Sequence, residues 1–145
     1  VTKYEHTQTG SWIIYAIGLP ALILLAMAAF SSAIRPELFL PFVLLLCVLL
    51  FWRLTIKIDS EALQASFGIG LIRKTVRVAN IVACEPIRVR WWWGWGIHFT
   101  PYGWLYNVSG WDAVAITLRD GKRFCVGTDE PQELQAAIRR FASVR

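Results

Sequence analysis

The hydrophobic pattern of this chain changes character partway along. From Thr7 to Ile34 no residue is formally charged, and none is from Leu38 to Trp52; only Arg35-Pro36-Glu37 intervenes. Two continuous apolar runs joined by so short a turn predict a transmembrane helical hairpin. The first, from Trp12 to Ile34, would extend about 34 Å as a helix, enough to cross a ~30 Å hydrocarbon core with tilt. The second, from Leu38 to Leu54, would extend about 25 Å, a deficit that snorkelling of Arg53 and local thinning can absorb. Trp12, Tyr15, Phe51 and Trp52 fall where amphipathic rings settle at an interface. Ala26-Met27-Ala28 has the small-x-small form of a signal cleavage site. The apolar run continues past it and a second follows at once, so two uncleaved spans are expected.

After Arg53 the period becomes two. Leu54, Ile56 and Ile58 share one face, and Leu63-Gln64-Ala65-Ser66-Phe67 alternates again. Gly68-Ile69-Gly70 reads as a turn and Ile72 to Val78 as a third strand, with Lys74 on its apolar face. Ala113 to Leu118 and Arg123 to Val126 alternate around Asp120-Gly121, a strong hairpin signal because both turn residues tolerate positive φ. Asp129-Glu130-Pro131-Gln132 offers a helix cap, early acidic charge and an early proline. Leu134, Ala137, Ile138 and Phe141 then follow helical spacing, with Arg139 and Arg140 in the last turn. The expected architecture is an α+β membrane protein. A hairpin anchor occupies residues 1–53, and residues 54–145 form a small antiparallel β-barrel or sandwich of about seven strands, closed by a C-terminal helix.

Charge sets the orientation. Of the 15 Lys and Arg, thirteen lie from Arg53 onward, against Arg35 alone in the turn. The positive-inside rule therefore places both termini in the cytoplasm and makes the chain a multi-pass protein. The basic residues of the domain are scattered along strands without a nucleic-acid motif, and a nearby anionic leaflet accounts for them. No nucleic-acid partner is expected. The three cysteines form no CxxC and have no His pair nearby, which predicts buried thiols and no metal or cofactor.

Six of the eight tryptophans lie between Pro86 and Trp111. Read with period two, Ile87, Val89, Trp91 and Trp93 point inward, while Arg88, Arg90 and Trp92 share the outward face. Cations beside an indole suit a headgroup interface, so these three residues are the candidate membrane or partner face. The same aromatic run is also what packing a small core requires. His98, Ser109 and Asp112 can be drawn as a triad, but a histidine between Ile97 and Phe99 reads as structural. No P-loop, dinucleotide fingerprint or HExxH occurs, and no enzyme is expected. Asn107-Val108-Ser109 matches a glycosylation acceptor, a very short pattern.

Gly94-Trp95-Gly96-Ile97, Gly103-Trp104-Leu105-Tyr106-Asn107-Val108-Ser109-Gly110 and Gly127-Thr128-Asp129-Glu130-Pro131 follow two apolar segments and precede a helix. In this order the chain resembles an uncharacterised subset of bacterial membrane-anchored pleckstrin-homology-like proteins. The resemblance implies a partly open seven-stranded barrel with its helix across one end, at the bacterial inner membrane. It carries no catalytic residues. The expected role is a non-enzymatic binding or scaffolding module whose partners are membrane lipids and another membrane protein or its own copies. The alternative is headgroup or small-ligand binding by the tryptophan segment.

Overall fold

The segment ahead of the first apolar run is itself a strand. In the computed structural model, which describes residues 4–30 and 38–142, β1 (Tyr4–Thr9) leads into a helix α1 (Ser11–Phe30). A second helix, α2 (Phe39–Phe51), leads straight into β2 (Arg53–Ile58). β1 and β2 pair antiparallel from Tyr4↔Ile58 to Thr9↔Arg53, so both helices leave and re-enter the sheet at one point. The Gly10 amide donates to the Trp52 carbonyl at 2.7 Å, closing that junction. Residues 1–53 were expected to be anchor alone; β1 instead belongs to the β-domain. Arg53 and Leu54, expected to end the second span, are strand residues.

α1 is long and apolar enough to cross a membrane, whereas α2 has 13 residues. At 1.5 Å per residue the two extend about 30 Å and about 20 Å. A widened π turn occupies Ile14–Gly18, directly before Pro20. Proline lacks the N–H that would reach the Ala16 carbonyl, and its ring crowds that oxygen; the wider turn absorbs both defects. Pro41 falls in the first turn of α2, where a missing N–H costs little. The helices run antiparallel in contact, and a Cβ on Gly18 would lie 3.8 Å from Val48.

The remaining strands are β3 (Ala62–Phe67), β4 (Ile72–Arg77), β5 (Ile81–Arg88), β6 (Gly96–Thr100), β7 (Gly103–Asn107), β8 (Asp112–Leu118) and β9 (Arg123–Gly127). They form two sheets, ordered β1-β2-β3-β4 and β5-β8-β9-β7-β6. The expected seven-strand antiparallel meander is corrected in two ways. Nine strands are present among the described residues, and β7 and β9 pair parallel.

The period-two faces meet in the core. Leu54, Ile56, Ile58, Leu63 and Phe67 of the first sheet pack with Val114, Ile116, Phe124 and Val126 of the second. Lys74 does lie on the inner parity, opposite Ala65. Its ammonium is accommodated 5.7 Å from the centre of the Phe124 ring, a cation–π contact. The closing helix α3 (Pro131–Phe141) buries Leu134, Ala137 and Ile138, while Gln132, Glu133, Arg139 and Arg140 stay exposed and Phe141 is half-buried. Its N-terminus lacks the expected side-chain cap. Asp129 and Glu130 instead face the two ring nitrogens of His6 on β1, at 2.6 and 3.2 Å. That clamp ties the first strand to the start of the last helix. Tyr4, beside it, has its phenol pushed up to about 12 by burial and by the carboxylates of Glu130, Glu133 and Asp129.

Helices and sandwich share a packed junction. Ile13, Ile17 and Phe51 join the domain core. The Phe51 ring meets Phe67 edge-on at 5.4 Å. Gly68, in the β3–β4 turn, lies so close to the Leu49 and Leu50 carbonyls that a Cβ would collide with both. Arg53 donates from Nε to the Gly68 carbonyl and stacks 4.7 Å from the Trp52 ring.

Candidate functional site

β5 is one of the two edge strands of the second sheet, which is where Pro86, lacking an N–H, can sit. The strand ends at Arg88, earlier than period-two reading suggests. Val89 is buried and its amide donates to the Trp111 carbonyl at 2.6 Å. Arg90 is extended, and Trp91–Trp93 form a single 3₁₀ turn held by the Trp93 amide on the Arg90 carbonyl. Trp92 therefore reaches the arginines through a turn, not through strand parity.

This turn folds over the outer face of the second sheet. There Val89, Leu105, Ala113, Ala115 and Cys125 form a second, smaller apolar cluster, with Ile87, Trp93 and Tyr102 packed on it. The small side chains of Ala113, Ala115 and Cys125 leave room for the large rings above them. Burial pushes the Cys125 thiol up to about 11. Ile87 and Val89 are thus covered as expected, but beneath Trp93 and Tyr102 and outside the sandwich core. Trp91 does not point inward: it is 73% exposed, because the 3₁₀ turn swings it off the strand.

Between the turn and the strand runs an open groove of about 970 Å³. Arg88, Arg90 and Trp92 all line it, so the three residues singled out by the sequence do come together. Trp93, Tyr102 and Glu85 also line it, and these three were missed. Trp93 and Tyr102 meet edge-on at 6.1 Å and form one wall. Their pairing across ten residues has no local periodic signal. The Arg90 guanidinium carbon lies 5.0 Å from the centre of the Trp92 ring. Both arginines are exposed, and among the described residues neither has an acidic partner. Glu85 faces Arg123 at 3.8 Å.

Two ring contacts and one backbone hydrogen bond link the start of α1 to Val89 at the groove. Trp12, at the start of α1, stacks parallel on Trp95 at 6.3 Å, and Trp95 meets Trp111 at 5.9 Å. The Trp111 carbonyl is the one that holds Val89.

Among the described residues no hydrogen bond joins the side chains of His98, Ser109 and Asp112 to one another; each makes the following contacts. The His98 Nε2 meets the Trp95 carbonyl. Ser109 takes the Asn107 side chain on its amide and the Gln8 side chain on its carbonyl. The Asp112 carbonyl accepts from Thr128. Asn107 is fully buried, which leaves the glycosylation pattern inaccessible. Its side chain lies against Gly127, where a Cβ would collide with it, so the separated motifs around Asn107 and Gly127 are two halves of one packing contact. Among the described residues no group of His, Cys, Asp and Glu could hold a metal ion. Comparison with protein-family models, curated proteins and solved structures finds no match.

Proposed function

We propose that the chain is a membrane-anchored, non-enzymatic binding module, held at the inner face of a bacterial membrane by a helical hairpin and acting through protein contacts. The observation that carries the reading is the in-register pairing of β1 with β2 around the two apolar helices. Paired flanks must lie on one side of a bilayer, so helices that enter it must return. Apolar faces support insertion: Leu22, Ile23, Met27, Phe30, Phe42 and Leu46 all face outward. α2 alone is short for a full crossing, and a tilted or locally thinned arrangement accommodates it. The two-sheet domain with its closing helix is compatible with the pleckstrin-homology-like resemblance, although β1 ahead of the helices and the parallel β7–β9 pair depart from the expected barrel.

The protein-contact reading draws on the β6–β7 hairpin. β6 is an edge strand, and Phe99 and Trp104 pair across the two strands in edge-to-face contact at 5.6 Å. Phe99 is 73% exposed. Exposed aromatic pairs on an open edge are the kind of surface that partner chains cover. A photoreactive residue placed at Phe99 in the full chain should give one reproducible protein adduct in intact cells, at twice the chain's own mass if the partner is a second copy. Adducts to lipid alone would overturn the scaffolding reading and leave headgroup binding in its place.

A further inference from the structure

We infer that the groove between Arg88, Arg90, Trp92 and Tyr102 binds the phosphate of an anionic phospholipid headgroup, with a hydroxyl-bearing headgroup favoured over a choline. The inference rests on the membrane-anchored reading, and four observations carry it. First, two guanidinium groups line one groove without an acidic partner among the described residues, and planar forks of this kind suit phosphate oxygens. Second, the Arg90 guanidinium lies 5.0 Å from the centre of the Trp92 ring, so a quaternary ammonium in the groove would meet a like charge there. Third, Glu85 lines the same groove and is 58% exposed at its side chain, free to accept from a headgroup hydroxyl while remaining near Arg123. Fourth, the Trp12–Trp95–Trp111 contacts join this segment to the root of α1, which is the level of the headgroups if α1 is inserted. A free phosphate has the same chemistry but no need for that placement or for aromatic walls.

The test uses the full chain in nanodiscs of equal phosphatidylglycerol and phosphatidylcholine, transferred to detergent, with retained lipid read by native mass spectrometry. Wild type should keep one phosphatidylglycerol in preference to phosphatidylcholine. R88Q/R90Q should retain it about tenfold less or weaker still, the scale expected for losing charge-assisted hydrogen bonds. R73Q/R77Q removes the same charge from the exposed side of β4 and should retain lipid like wild type. Equal retention in R88Q/R90Q, or equal loss in both variants, would overturn the site. Release of the lipid by inorganic phosphate at equal concentration would overturn the lipid as its source. Melting temperatures are read on the same material. If R88Q/R90Q melts early, R88K/R90K takes its place; it keeps both charges, lacks the planar forks, and should still bind several-fold more weakly. Failure to enter nanodiscs at all would sink the anchoring itself, whereas entry without selective retention would sink the groove alone.

Discussion

Leu134→Ala should destabilise the protein by about 2–5 kcal/mol, the range for truncating a fully buried leucine. Leu134 has no accessible surface, and α3 packs it onto β5 and β8 at the closed end of the sandwich. Folded domains retain roughly 5–15 kcal/mol in total, so the change consumes a large part of that margin. Phe141→Ala should cost less, because that ring is only half-buried at the end of the same stripe. Denaturant melts of the full chain in detergent, followed by tryptophan fluorescence, measure both. An unchanged midpoint for Leu134→Ala would show that α3 does not close the core.

Gly103→Ala should produce a loss of comparable size from a different cause. Gly103 has φ of +96°, a region that side chains rarely adopt, and an added Cβ would collide with the Arg123 carbonyl oxygen. Backbone strain and overpacking each cost about 1–3 kcal/mol. The close approach exists because β7 starts beside β9 in the parallel pair, one residue before Trp104↔Phe124. Gly121 supplies the comparison: its φ is +82°, but nothing lies within 4 Å of an added Cβ. Gly121→Ala should therefore show the strain alone. Equal losses at the two positions would mean that the β7–β9 approach is looser than described.

What could be read in the sequence followed from how local each signal is. β2 and β3 were legible because their apolar residues alternate toward one core face, and α3 carries its apolar stripe at helical spacing; β8 and β9, buried on both faces, were marked chiefly by the Asp120-Gly121 turn between them. β1 was invisible for a physical reason. Its inner-parity residues are Tyr4, His6 and Gln8; His6 reaches Asp129 and Glu130 and Gln8 reaches the Ser109 carbonyl, so no apolar alternation marks it. The parallel β7–β9 pair is set by contacts far apart in the chain, which periodicity does not encode. In the tryptophan segment, three successive identical residues hide the point where strand gives way to a 3₁₀ turn. The grouping of Arg88, Arg90 and Trp92 was legible, but its geometric cause was not. Trp93 and Tyr102, which wall the groove, looked like ordinary packing.

The proposed arrangement is a hairpin anchor of two helices whose strand-paired flanks both face the cytoplasm. Single cysteines at Glu5 on β1 and at Asp120 in the β8–β9 turn test it most directly, since both sites are exposed and lie on opposite sides of the helices in sequence. In a bacterial host, a membrane-impermeant maleimide should label neither site in intact cells and both once the inner membrane is opened. Labelling of Glu5→Cys but not Asp120→Cys in intact cells, or the reverse, would contradict the β1–β2 pairing around a returning hairpin, and labelling of both would place the sandwich on the outer face.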